Sequence, residues 1–407
     1  MKTSINHYIF LTTSIRNVGG AQLYIAKKQE WLESIGWEVS VFYYNKGSIV
    51  IDALKKHEGN FINELSQNFY ALSSKQRNAV LARILPKDYD KVIVESHLLS
   101  LCFWGEFIAH KANGMNLCYP LCEGFPKLQQ YERDYFSSRL ENNLLFGISD
   151  ISIPLMLGES EQTKNRQLLA IGCCTDNVAD ISYDITPLTG NQTIICIGRQ
   201  DKPYVPFVIN EICDFLFRHK GNTYNVILLG DSADKALSDN FIEKLTAISN
   251  VNVICTGYIF PIPRCLFRKA DVAIASSGSV IVANNEGVPT IVIDANDFQA
   301  IGVFEQTTNN TLYRESEPQQ KVSDLLEDIL DRRMFKKVTI ADTPHSRLDY
   351  SDHFRIIDSY KEGTVYPKIM KRPIAEYPIF FLTQLFGITG VRGMRKIVSK
   401  VLSKYNK

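Results

Sequence analysis

The feature that most constrains the fold is an alternation that runs through the chain twice. Short, continuous apolar runs are separated by stretches of helical periodicity. Tyr8-Ile9-Phe10-Leu11 is the first run. A loop containing Gly19-Gly20 follows. Ala21, Tyr24, Ile25, Leu32 and Ile35 then recur at helical spacing, and Gly36 closes the helix as a C-cap. Further runs are Glu38–Tyr43, Lys91–Val94, Asn116–Tyr119 and Leu145–Ile148. The pattern restarts at Thr193–Gly198 and continues through Asn225–Leu229, Val251–Cys255, Val272–Ala275 and Thr290–Ile293. Helices are predicted between these at about Val205–Arg218, Asp239–Ile248 and Pro263–Lys269. Continuous apolar runs mark strands buried on both faces, as in parallel sheets. Strand–helix alternation implies βαβ units. The expected class is α/β, with two Rossmann-like, doubly wound parallel-sheet domains facing across a cleft. Ligands of such sheets sit beyond the carboxyl ends of the strands. The polar stretch Thr175–Gln192, with Pro187 and Gly190, reads as the linker.

Composition fits this class and removes others. The 407 residues suffice for two domains of roughly 100–200 residues each. A hydrophobic fraction of 45% is globular rather than disordered or fibrous. With 45 Lys+Arg against 44 Asp+Glu, the chain lacks the basic excess of a nucleic-acid binder. Its 9 cysteines include no CxxC pair, and Cys173-Cys174 is too close for an ordinary bridge. They read as reduced thiols of a cytoplasmic protein. The Tyr8–Leu11 run is too short for a signal-peptide core. The longest apolar stretch, Tyr377–Val391, is interrupted by Thr383 and Gln384 and falls short of the roughly 20 residues a spanning helix needs. It can still lie on a bilayer surface.

Five motifs narrow the reading. They are Asn17-Val18-Gly19-Gly20-Ala21-Gln22; Ile197-Gly198-Arg199 with Lys202; Leu228-Leu229-Gly230-Asp231; Ile254-Cys255-Thr256-Gly257-Tyr258; and Lys269-Ala270-Asp271-Val272-Ala273-Ile274-Ala275-Ser276-Ser277 with Glu286-Gly287-Val288-Pro289-Thr290. In order and spacing they resemble the family 4 glycosyltransferases of bacterial polysaccharide and O-antigen type, which have the two-Rossmann architecture called GT-B. The resemblance covers about residues 8–365 and is strongest in the second half. It implies an acceptor-binding domain over 1–175, a nucleotide-sugar-binding domain over 190–345 and a helix over 346–372 returning toward the first domain; a basic amphipathic tail over 373–407 lies beyond it.

Each motif has a physical role under this resemblance and a plain structural alternative. Gly19 and Gly20 let the backbone approach a phosphate at a helix N-terminus, or simply make a tight turn. The resemblance makes Arg199 and Lys202 the cations that stabilise the departing diphosphate; Lys202 lies closer to the arginine than the family's lysine does. As an alternative they are solvated loop cations. Gly198 ends the strand before them. Ser277, Gly278 and Ser279 open a short helix whose amides suit the same diphosphate. The family carries two glutamates around this helix, for donor sugar and ribose. Here the second position is Val282 and the strand-end loop has no glutamate. Glu286, one turn on, is the candidate substitute, or an exposed helix-end acid. Gly257 and Tyr258 stand where the family holds the base, with ordinary packing as the alternative for Tyr258. On the acceptor side His97, in Val94-Glu95-Ser96-His97, and Glu123, in Leu121-Cys122-Glu123-Gly124, are candidates to assist or orient a hydroxyl. The alternatives are a hydrogen-bonded strand-end histidine and a helix-start acid.

From Ile388 onward there are six Lys/Arg and no Asp or Glu, with Val391, Met394, Ile397, Val398, Val401 and Leu402 at helical spacing. A basic amphipathic tail over 388–407 suits an anionic membrane surface, and packing onto the first domain or an oligomer contact is the alternative. Taken together, the expectation is a metal-independent glycosyltransferase without a cofactor. It would move a sugar from a nucleotide diphosphate donor, UDP being the first choice, to a glycan or lipid-linked acceptor, with retention implied by the family. It would be cytoplasmic, peripheral on the inner membrane face, and open to homo-oligomerisation. A non-catalytic GT-B subunit and a GT-B nucleotide-sugar epimerase are the competing classes.

Overall fold

The computed structural model describes residues 5–121, 126–148, 152–164, 177–232, 234–335, 350–351, 365–387 and 390. The chain divides into two compact units, Met1–Ile171 with Leu348–Lys407, and Gly172–Arg347.

In chain order the first unit contains β1 (Asn6–Thr12), α1 (Gly20–Ser34), β2 (Glu38–Tyr43), α2 (Ser74–Ile84), β3 (Lys91–Ser96), α3 (Leu99–Lys111), β4 (Met115–Cys118) and α4 (Gln130–Glu141). Its sheet runs β2-β1-β3-β4 and every pairing is parallel. The expected strand over Leu145–Ile148 shrinks to one bridge, Leu145 beside Cys118. Two hydrogen bonds hold it, Cys118 N to Leu144 O at 2.8 Å and Phe146 N to Cys118 O at 2.9 Å. Helix α3 was not read from the sequence. It is buried nearly all round, with Leu101, Cys102, Trp104, Ile108 and Ala109 in the core, so no polar stripe marks its period. Gly105 lets it lie against the sheet: a Cβ there would collide with Ser96 Oγ and Asn116 Oδ1.

The second unit contains β5 (Gln192–Ile197), α5 (Val205–Arg218), β6 (Tyr224–Leu229), α6 (Lys235–Thr246), β7 (Val251–Gly257), α7 (Arg264–Lys269), β8 (Val272–Ala275), α8 (Gly278–Asn285), β9 (Thr290–Ile293), β10 (Ala300–Val303) and α9 (Val322–Leu330). Its sheet runs β10-β9-β8-β5-β6-β7, parallel except for β10. Successive side chains of one strand enter different cores. Ile194, Val226, Ile274 and Ile291 pack with Ile212 and Phe215 of α5 and Leu326 of α9. Ile195, Ile227, Ala273 and Val292 pack with Phe267 of α7 and Val280 of α8. Strands with two buried faces have no polar alternation, which is why they are read as continuous apolar runs. Both units are Rossmann-like parallel-sheet domains of an α/β protein, as expected.

The chain's last described segment returns to the first unit. Arg372 donates to Tyr70 O at 2.8 Å and Leu72 O at 3.1 Å. Glu376 accepts from Asn68 at 2.8 Å and Tyr131 at 2.6 Å. Residues 377–387 are helical. Most of the expected returning helix over 346–372, and all of 388–407 except Gly390, lie outside the described residues.

Candidate functional site

The carboxyl edge of the second sheet is built mainly from backbone. β5, β6 and β7 end side by side, with Ile197 opposite Leu229 and Leu229 opposite Gly257. The next residue of β5 is Gly198 and of β6 Gly230, and Gly230 bridges Gly257. All three glycines have positive φ, at 142°, 133° and 64°. At Gly230 a Cβ would collide with the Gly198 carbonyl, so no other residue fits without moving the edge. Gly198 N donates to Leu229 O and Gln200 N to Asp231 O, both at 3.0 Å, which folds the loop after β5 over the end of β6.

Arg199 and Lys202 sit on that loop. Arg199 is half exposed, its Nε 3.5 Å from Asp201 Oδ1. Lys202 lies over the Tyr204 ring, 5.6 Å from the centroid. Their neighbour Gln200 was not among the candidates. It is buried, donates to Gly230 O at 3.0 Å and to Cys255 Sγ at 3.3 Å, and leaves its Oε1 without a partner. An amide surrounded by charged loop residues carries no sequence signal of its own.

Next to β5, strand β8 ends at Ala275 and the chain turns into α8 through Ser276 and Ser277. Ser277 is the N-cap and its side chain caps nothing. Its φ of 61° and ψ of −141° lie where side-chain-bearing residues are strained. Its N–H donates to Thr311 O at 2.6 Å. Ser276 Oγ is buried and without a partner. Gly278 and Ser279 form the first turn of α8. An uncapped helix N-terminus beside glycine-lined strand ends is chemically suited to an anion such as a phosphate.

Glu286 is not brought to this edge. It is the C-cap of α8, at the helix end away from Ser277. Its carboxylate is 3.0 Å from Arg264 Nε, and Arg264 also pairs with Asp180 at 2.5 Å. Val282, at the family's glutamate position, is buried in the core beneath α8. Tyr258 follows Gly257 and is half-buried.

In the first unit, α1 begins beyond β1 with Gly19 as an extended N-cap without a side-chain cap, and Gly20 as its first residue. Gln22 of that turn donates back to Ser14 O at 2.8 Å. His97 follows β3 and is buried. Its Nε2 is 2.8 Å from Glu95 Oε1. Glu95 is fully buried. Its Oε2 accepts from Lys28 and from Tyr8 OH, each at 2.5 Å, and Lys28 also donates to Tyr24 OH at 3.0 Å. Burial alone would push the Glu95 carboxyl up. The Lys28 ammonium and the His97 hydrogen bond outweigh it and hold the group well below the usual carboxylate range. Burial pulls Lys28 below its ordinary value, opposed by Glu95. Burial and the Glu95 charge raise the Tyr8 phenol, which stays neutral and donates. A charged Glu95 accepts from His97 Nε2–H, and the other ring nitrogen is Nδ1. That Nδ1 is buried without a partner. Lys28 was missed because its partner lies 67 residues along the chain. Glu123 lies outside the described residues. Among those residues no group of three or more His, Cys, Asp or Glu could hold a metal ion.

No protein-family model matches the chain, and no curated protein does. Solved structures do. HepE of Anabaena, solved with UDP and glucose, superposes with a TM-score of 0.55 at 15% identity, over 87% of this chain and 99% of that one. A glycosyltransferase of Rickettsia africae ESF-5 superposes with a TM-score of 0.52 at 12% identity, over 92% and 98%. These likenesses define the class: the chain has the GT-B fold. At such identities they reach the fold and stop short of the family 4 assignment.

Proposed function

We propose that the protein is a glycosyltransferase that moves a sugar from a nucleotide diphosphate donor, UDP-linked first of all, to a hydroxyl of a glycan or lipid-linked acceptor. The observation that carries this is the glycine-lined carboxyl edge of the second unit beside the uncapped N-terminus of α8. The first turn of α8, with Arg199 and Lys202 on the loop after β5, suits a diphosphate. The UDP in the Anabaena structure of the same fold supports the choice of nucleotide.

In this reading the acceptor oxygen bonds to the anomeric carbon. The bond from that carbon to the phosphate oxygen breaks, and its electron pair stays on the departing diphosphate. Arg199, Lys202 and the α8 amides stabilise the charge that develops there. The acceptor proton leaves with the diphosphate oxygen in the retaining course that the family resemblance implies. The family resemblance assigns His97 to the acceptor and Gly19 and Gly20 to a phosphate.

Arg199→Ala tests the reading. With saturating donor and acceptor, UDP release should fall about a hundredfold, or about 2.7 kcal/mol. An unchanged rate removes Arg199 from the site. The buried Val282 favours a second reading, a GT-B subunit that binds nucleotide without turnover. Calorimetry with UDP, alongside a UDP-release assay over a panel of acceptors, separates the two. An epimerase would instead interconvert UDP-sugars with no acceptor present.

A further inference from the structure

The helix over 377–387 presents its apolar side outward. Its buried position facing the first unit is Thr383, with Ile379 and Phe380 partly covered. Phe380 stacks under the Arg372 guanidinium at 3.5 Å, and Gln384 reaches Ala71 O at 3.5 Å. The opposite side carries Tyr377, Phe381, Leu382, Leu385 and Phe386, with Ile374 just before it. Leu385 is 75% exposed, Phe386 57%, Phe381 56% and Ile374 89%. This inverts the usual arrangement, in which a surface helix turns its apolar stripe to the core. The helix is not loosely placed, because Arg372 and Glu376 tie its start to residues 68–72 and Tyr131.

We propose that this face is a membrane-docking surface and that its occupant is an anionic lipid bilayer. Charge decides the occupant. After Glu376 the chain has no acidic residue, while Arg392, Arg395, Lys396, Lys400, Lys404 and Lys407 follow the helix. Aromatic and leucine side chains beside a run of cations match an acyl–headgroup boundary with anionic lipids. A second copy of the chain has the same excess of cations after Glu376 and lacks the opposite charge that an anionic bilayer supplies. Thr383 and Gln384 interrupt the apolar run of the helix, which suits the interface rather than a crossing. No helix of the described residues is long and apolar enough to cross a membrane. The expected membrane contact over 388–407 thereby gains an apolar partner upstream of it.

The test is flotation of the full chain with phosphatidylcholine vesicles, with and without about 30% phosphatidylglycerol. Binding should require the anionic lipid and weaken at about 0.5 M salt. Phe381→Ser/Leu385→Ser/Phe386→Ser should lower partitioning at least about tenfold with melting temperature and solution mass unchanged. Arg395→Gln/Lys396→Gln/Lys400→Gln should lower it chiefly at low salt. Undiminished binding by the serine variant overturns the proposal, and so does equal binding to vesicles without phosphatidylglycerol. A parent dimer that the serine variant splits into monomers would make a second copy the occupant and also overturn it.

Discussion

Glu95 and Asn225 are both fully buried polar residues on strands of parallel sheets, one in each unit. They solve burial differently. Glu95 stays charged and collects Lys28, Tyr8 and His97 from three separate segments. Asn225 is neutral and ties β6 to the chain at the start of β5. Its Oδ1 accepts from Gly190 N at 2.8 Å, and its Nδ2 donates to Gly190 O at 3.1 Å and Thr193 Oγ1 at 2.9 Å. The positions differ as well. Glu95 is near the carboxyl end of β3, whereas Asn225 is at the amino end of β6. So the first unit fills its carboxyl edge with a side-chain network that presets one histidine. The second places its polar cross-link at the opposite end and lines its carboxyl edge with Gly198, Gly230 and Gly257. Under the proposed function the first edge would meet the acceptor hydroxyl and the second a phosphate.

The sharpest way to break this comparison is Lys28→Met. It leaves the Glu95 carboxylate buried without its cation, and stability should fall by about 3–5 kcal/mol in urea unfolding. Adding Glu95→Gln should recover part of that loss. A double variant no better than the single would mean that Lys28 contributes packing rather than charge.

Asn225→Ala should cost less, about 2 kcal/mol, because it strands only neutral groups of Gly190 and Thr193. If it costs as much as Lys28→Met, the contrast between ionic and amide interiors fails.

Acid should act on the first unit through buried histidines outside that network as well as through Glu95. His57 is buried against Gln29 at 2.7 Å, and burial with the neighbouring Lys56 charge lowers its pKa from 6.5 to about 4. Burial lowers His7 in the same direction. Between these values the unfolded chain binds the proton first, so stability falls as the pH drops from 6.5 toward 4. The slope is at most about 1.4 kcal/mol per pH unit for each such group. The depressed Glu95 carboxyl adds stability above the usual carboxylate range and loses it at still lower pH. His57→Gln should flatten the limb between pH 6.5 and 4, as read from urea midpoints at several pH values. An unchanged slope would mean that His57 is protonated in the folded state.

The smallest effect is expected at Ser277→Gly. Relief of the positive-φ strain should raise stability by about 1 kcal/mol, less the extra chain entropy of glycine. A net loss would show that the α8 entry holds no such strain.

Much of the fold was legible before any coordinates. The strands of the second unit are apolar on both faces, and their glycine-terminated ends announce the carboxyl edge. Helix α3 escaped because a helix buried all round has no periodic contrast. Strand β10 escaped because Ala300-Ile301-Gly302-Val303 is short and contains a glycine. At the site, Gly198, Arg199 and Gly257 could be found because loop position follows from strand order. The pairing of Glu286 with Arg264, and of Lys28 with Glu95, joins residues far apart in the chain, and no local pattern encodes it.

The first unit is assembled from both ends of the polypeptide, and the second is one uninterrupted stretch between them. Tyr350 packs on Tyr24 and Trp31, and Tyr366 N donates to the buried Glu106 at 2.7 Å. During synthesis the second unit can therefore close as soon as its own residues have emerged. The first must wait with its sheet partly uncovered until the last stretch arrives. Its contacts are the long-range kind that slow folding. A frameshift or stop codon late in the reading frame would thus damage the amino-terminal half of the molecule first.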